Sequence, residues 1–200
     1  MKNLLLSLFT TFFLIGIATA QEAKVNQKFN EFLSKNLHYS KELRGNEVQG
    51  AVSALLTFDS EGKIASTPEI LAGDEQLAEE VIRVVQLMQV ENKADLITSE
   101  YNGQGLILNV EFRISSGNSQ QINLPNTELK ILKNLNSKIS KNPYFPSYYL
   151  ERARLYDELD KRTLAHLDRA FYRELKEKEL STVVVVGYKA SHKKLSLSTE

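Results

Sequence analysis

The sequence predicts an α+β fold: a small three-stranded antiparallel sheet with two helices, followed by an α-helical segment. Three observations point to it. Residues 51–58 and 106–114 alternate apolar with polar side chains, the period of a half-buried strand. Residues 77–88 place apolar side chains at helical spacing, and beyond residue 126 the apolar positions are again helical until the run Val183-Val184-Val185-Val186. A chain of 200 residues with 42% hydrophobic and 25% charged side chains suits one medium domain or two small ones, and excludes wholesale disorder or a multi-span membrane protein. Twenty-five basic against 25 acidic side chains cancel, which removes any whole-molecule argument for a nucleic-acid partner. The cancellation hides a split. Residues 21–126 carry 9 basic and 15 acidic side chains (net −6) and residues 127–200 carry 15 and 10 (net +5), so the halves read as different modules. Absence of Cys excludes disulfides, a lipid-modified Cys and Cys-based metal or nucleophile sites.

Met1-Lys2-Asn3, the apolar run Leu4 to Ile17 and Ala18-Thr19-Ala20 form a charged start, a hydrophobic stretch and a small-x-small cleavage site. Residues 1–20 are therefore expected to be a secretory signal peptide cleaved after Ala20, which would leave the chain periplasmic or secreted. The alternative is a retained inner-membrane anchor, although the apolar run falls short of the ~18 to 20 residues that span a bilayer. Val25, Phe29, Phe32 and Leu33 form the stripe of a helix over residues 23–36. Val52, Ala54, Leu56 and Phe58 line one face of a strand, with Ser53 and Thr57 opposite, and Asp59-Ser60-Glu61-Gly62 turns the chain. Ile64 to Leu71 can return as a second strand that Pro68 weakens or confines to an edge. Gly73-Asp74 then caps a helix carrying Leu77, Val81, Val84, Val85 and Met88, with acidic residues at its positive end. Leu106, Leu108, Val110, Phe112 and Ile114 alternate with Ile107, Asn109, Glu111 and Arg113, a third strand expected to bury one face. These elements make a first module over 21–115.

Residues 116–125 contain turn formers without an apolar period and read as a linker. Over 126–180, Leu129, Leu132 and Leu135, then Tyr149, Ala153 and Tyr156, then Leu164, Leu167, Phe171 and Leu175 give helical stripes around a turn at Leu159-Asp160-Lys161. Residues 181–200 form a tail whose four consecutive Val residues are the strongest β-forming run in the chain, followed by a basic, Ser-rich end.

Phe32-Leu33-x-x-Asn36-Leu37-His38-Tyr39, Gly50-Ala51-Val52, Glu61-Gly62-Lys63-Ile64, Glu79-Glu80-Val81-Ile82-Arg83-Val84-Val85 and Asn102-Gly103 occur in the order and spacing of one known domain. Over 27–115 the chain thus resembles the C-terminal domain of TonB-type energy transducers, particularly those of the Bacteroidetes. Two departures stand out: Ser40 occupies the place of a family Pro, and the family's Trp-x-Pro after the second helix is missing from Gln89-Val90-Glu91-Asn92. Ile139-x-x-Asn142-Pro143, Tyr149-x-x-Arg152-Ala153-x-x-Tyr156 and Asp168-Arg169-Ala170 resemble a single tetratricopeptide repeat with a shortened turn. One repeat cannot build a superhelix, because stacked neighbours supply its core, so a helical hairpin is expected. The tail stretch Val183-Val184-Val185-Val186-Gly187-Tyr188 resembles the TonB-contacting segment, or box, of SusC-like outer-membrane receptors, with Lys189 in place of a final Gly.

Little in the sequence points to catalysis. His38, His166 and His192 are scattered without a second ligand at metal spacing, so no metal and no cofactor is expected. Glu79-Glu80 are adjacent helix residues that face different ways and suit a helix start better than acid/base work. Ser60-Glu61-Gly62-Lys63 and Ser191-His192-Lys193-Lys194 match Ser-x-x-Lys only on a turn and in a tail. Gly103-Gln104-Gly105 lacks the rest of a phosphate loop. The charges of residues 152–178 mix both signs, as on a solvated helical surface. A non-enzyme without a small-molecule substrate is expected, with protein partners.

A small sheet can bind an extended peptide by main-chain hydrogen bonds at an open edge. The TonB resemblance implies this mode at the last strand, Gly105-Leu106-Ile107-Leu108-Asn109-Val110-Glu111-Phe112-Arg113, with the box of a TonB-dependent outer-membrane receptor as the peptide. The family's transducers need a retained membrane helix and a long Pro-rich spacer; with only 4 Pro in all, the chain is expected to be accessory to transport rather than to transmit force. Four Val residues left in water would recruit any open strand edge, so the tail is expected to pair with a TonB-like domain, its own or another molecule's, with self-association as one outcome. The alternative function is a helical adaptor whose repeat-like hairpin is the working surface and whose α+β half is a scaffold.

Overall fold

Three β segments in the first part of the described chain and a fourth beyond three consecutive helices produce a mixed sheet with helices on both faces. The computed structural model describes residues 27–91, 105–115 and 128–188. Its elements run α1 (Gln27–Asn36), α2 (Lys41–Gly45), β1 (Gly50–Thr57), β2 (Glu69–Ala72), α3 (Glu75–Val90), β3 (Gly105–Ser115), α4 (Glu128–Lys141), α5 (Pro146–Glu158), α6 (Arg162–Glu177) and β4 (Glu179–Tyr188). The α+β class holds. The sheet, however, has four strands in the order β2-β1-β3-β4, and it is not purely antiparallel, because β4 runs parallel to β3.

Local chemistry explains the boundaries. Asp59 Oδ1 accepts from the N–H groups of Glu61 and Lys63 at 2.8 and 2.9 Å, and Gly62 supplies the positive φ of 76° that closes the turn after β1. The return strand is shorter than the pattern suggests. Only Glu69–Ala72 pairs with β1, beyond Pro68 and a lone Phe58–Ile64 bridge, because Pro cannot donate to the ladder. Asp74 caps α3 by accepting from Gln76 N and Leu77 N at 3.0 and 3.3 Å. Ser40 caps α2 through its side chain, which accepts from Leu43 N at 3.1 Å.

The first face of the sheet carries Val52, Ala54, Leu56, Leu106, Leu108, Val110 and Phe112 against Phe29 and Leu33 of α1 and the apolar stripe of α3. Glu80 of α3 accepts from His38 N and pairs with Arg83, whose Nη2 donates to Asn36 O at 2.6 Å, so this pair ties α3 to the end of α1. The second face is also covered. Ala51 packs on Phe145 and Tyr148 at the start of α5, and Ser53 meets Asn142 just past α4. The third strand therefore buries both faces, with Asn109 and Glu111 0% and 5% exposed, where one buried face was expected. The charges of the helical segment are not all solvated either: Asp168 is 3% exposed and takes two 2.7 Å bonds from Arg152. Among the described residues no helix is long and apolar enough to cross a membrane. The expected signal peptide (1–20), linker (116–125) and basic tail end (189–200) lie outside the described residues.

Candidate functional site

β3 is an inner strand of the sheet, and its two edges carry different partners. One edge pairs antiparallel with β1, from Gly50 opposite Phe112 to Thr57 opposite Gly105. The other, where an incoming peptide was expected, pairs with the chain's own tail from Ile107 opposite Glu179 to Ser115 opposite Tyr188. The edge over Gly105–Arg113, expected to receive a peptide, is filled from within, by the tail that was expected to pair with its own or another molecule's sheet. The cause lies in the tail's composition, since four β-branched residues favour a pleated, half-buried surface and β3 offers the long ladder.

Side chains of β4 divide by parity. Val183 and Val185, opposite Val110 and Phe112, pack against the core of the first face, and Gly187 follows them opposite Ile114. Val184, Val186 and Tyr188 point to the other side and are 46%, 50% and 62% exposed. The strand enters through a register shift between Ile107 and Leu108, which buries Leu180 to 1% exposure in the core, worth about 1.5 to 3 kcal/mol. Ile107 N donates to Lys178 O at 2.7 Å at this entry.

The residues that seat the tail come from the N-terminal elements. Ser181 Oγ donates to Asn30 Oδ1 of α1 at 2.7 Å, and Arg44 Nη1 of α2 donates to Tyr188 O at 3.0 Å. Tyr39 closes over Gly187, with its ring edge-on to Phe112 at 5.4 Å and its hydroxyl donating to Val48 O. Burial raises the Tyr39 phenol pKa, with Arg44 opposing, which keeps it neutral and a donor. Sequence reasoning did not single out Asn30, Tyr39 or Arg44 as a set. The Ser40-Lys41-Glu42 start of α2 was the available signal that Arg44 is carried on a capped helix.

A cleft of about 740 Å³ opens beside the far end of β3, between Gly50, Gly73, Glu111, Arg113, Lys138 and Tyr148. Its charges are matched rather than of one sign: Arg113 Nη2 donates to Glu111 Oε2 at 2.6 Å, and Lys138 Nζ lies 5.1 Å from the Tyr148 ring centre. Burial, followed by the nearby Glu111 and Glu151 carboxylates, pushes the Tyr148 phenol well above its ordinary pKa. No group of three or more His, Cys, Asp or Glu able to hold a metal occurs among the described residues. Glu80 is engaged with His38 and Arg83, and Lys63 pairs with Glu61 in the turn after β1.

The repeat-like hairpin presents a second surface. α5 and α6 are locked by Arg152 and Asp168, while Leu164, Leu167 and Phe171, spaced i, i+3 and i+7 on α6, are 41%, 50% and 51% exposed. Compared with known proteins, the chain matches no protein-family model, no curated protein and no solved structure.

Proposed function

We propose that this chain is a periplasmic or secreted, non-enzymatic protein that binds an extended peptide by strand addition at the outer edge of β3. Its TonB C-terminal-like module takes the box type of segment offered by outer-membrane receptors, in a role accessory to TonB-dependent transport. Its own tail holds the edge until such a segment displaces it. The observation that carries this reading is the β3–β4 ladder: a box-like segment lies in register along the strand that the resemblance nominates. An internal strand has a high effective concentration, on the order of millimolar for a short flexible connection, so an external peptide must compete with it.

The test is exchange in trans. A labelled peptide with the sequence of residues 179–188 is titrated into the full chain and into a full-chain Thr182→Pro variant, whose outward-facing substitution removes a main-chain donor from the tail alone. Tighter binding to the variant than to the parent supports the reading. Absence of binding to both, with the far-ultraviolet spectrum intact, removes it.

A second reading rests on the exposed Leu164, Leu167 and Phe171 of α6, which suit the adaptor alternative. A Leu167→Asp variant that loses a protein partner retained by Thr182→Pro would favour it.

A further inference from the structure

Gly187 is the one residue of β4 whose presence in a strand calls for a reason, since glycine weakens strand interiors and often marks close approach of another group. Its φ is not among the positive values, so backbone conformation does not demand glycine here. Space does. A Cβ at this position would lie 2.3 Å from Arg44 Cδ, 2.6 Å from Tyr39 Cδ1 and 3.0 Å from Arg44 Cγ.

Both neighbours are engaged by other contacts. The Tyr39 ring is 9% exposed, packed edge-on against Phe112 and tethered through its hydroxyl to Val48 O. Arg44 is held at both ends of its guanidinium: Nε donates to Ser40 O at 3.3 Å, and Nη1 donates to Tyr188 O at 3.0 Å, the carbonyl immediately after the glycine. The same contacts that exclude a side chain at residue 187 therefore grip the backbone of residue 188. Six residues earlier, Ser181 meets Asn30, and the two inward positions between them are Val183 and Val185 against the core. Outward positions carry no comparable constraint, as Val184, Val186 and Tyr188 are about half exposed or more.

We infer that Tyr39 and Arg44 form a glycine-selective subsite, so that the groove beside β3 accepts an extended peptide parallel to β3 with the inward pattern Ser-x-Val-x-Val-x-Gly. This rests on the strand-exchange reading and adds its specificity. The glycine must fall opposite Ile114, because a two-residue slide that brings Val185 to that place would drive its side chain into Tyr39. One subsite thus sets both the identity of the residue and the register of the whole segment.

The experiment uses the full chain carrying Thr182→Pro, in which the native tail is weakened without touching Tyr39 or Arg44. Two labelled peptides are titrated: one with the sequence of residues 179–188, and the same peptide with Gly187→Ala. The expected result is that the alanine peptide binds at least about ten-fold more weakly. Adding Arg44→Ala to the protein should narrow that gap by relieving the closest contact. Equal affinity of the two peptides overturns the glycine subsite and leaves strand exchange standing. Failure of both peptides to bind a folded variant overturns strand exchange and the subsite with it. Should Thr182→Pro fail to fold, the same pair of peptides is compared by amide exchange in the parent chain. There only the glycine peptide should alter the protection of β3, and identical effects of the two peptides would overturn the subsite.

Discussion

The side-chain amide of Asn142 donates to the carbonyl oxygen of Ala51 across 3.1 Å, joining residues 91 positions apart. The Asn142 Oδ1 also accepts from Tyr144 N at 3.0 Å and lies 3.0 Å from Ser53 Oγ. One buried asparagine, 2% exposed, thereby fixes the end of α4 on β1 and shapes the turn that leads into α5.

Asn142→Ala should cost about 1 to 3 kcal/mol, because it leaves Tyr144 N without its partner and strips a bond from Ser53 in a buried place. Urea unfolding of the full chain measures it. Asn142→Asp is expected to be no milder, since the substitution replaces the donor to Ala51 O with a buried charge.

Arg152 and Asp168 hold α5 to α6 by two 2.7 Å bonds, with side chains 18% and 4% exposed. The bond to Asp168 also raises the Arg152 pKa. Asp168→Ala should lose ~3 to 5 kcal/mol by removing the charge partner of the half-buried guanidinium, and the double variant Arg152→Met, Asp168→Leu should recover most of it. A double-mutant cycle by chemical denaturation reads the difference.

Tyr148 predicts a loss of stability in alkali. Its folded-state pKa is raised by burial and then by Glu111 and Glu151, so the contribution of the neutral phenol is complete below the unfolded value of about 10. It is lost as the pH rises through the folded value, by up to ~1.4 kcal/mol per pH unit, because the unfolded chain sheds the proton first. Tyr148→Phe should remove this dependence. Urea midpoints from about pH 8 to about pH 11 should show the variant gaining on the parent as the pH rises.

Gly73 and Gly45 should answer oppositely to alanine. Gly73 has φ of 130°, and an added Cβ would sit 2.9 Å from the Val52 Cα and 3.0 Å from the Ala51 carbonyl oxygen, so Gly73→Ala should cost ~2 kcal/mol or more. Gly45 has nothing within 4 Å and no positive φ, and Gly45→Ala should stabilise by about 0.4 to 1 kcal/mol. Thermal unfolding of the two single variants checks the sign of each.

Alternation over 51–58 and 106–114 and the stripe Leu77, Val81, Val84, Val85, Met88 were enough to read the first face of the sheet, because each pattern is local and its apolar side chains lie in the core. The second face was not legible. Ser53, Asn109 and Glu111 are the residue types that mark solvent, and they are buried because partners or covering groups arrive from far along the chain: Asn142 for Ser53, Tyr148 and its neighbours over Glu111. Asn109 is the extreme case: its Oδ1 lies 2.5 Å from Ser53 Oγ while its Nδ2 has no partner among the described residues. Four Val residues announced a strand, yet nothing local gave its direction. A parallel partner requires a long crossover, and α4 to α6 supply it. Tyr39 and Arg44 were unreadable as a seat for Gly187 for the same reason, since Gly187 lies more than 140 positions downstream of each.

Leu180 completes the core near the C-terminal end of the described chain, which makes assembly of the sheet a matter of timing. β4 is the last strand of the described chain to be made, and until it exists β3 has only β1 beside it. A chain stopped short of residue 179 lacks both the strand and the side chain that closes the core, so the sheet is finished only by its last element.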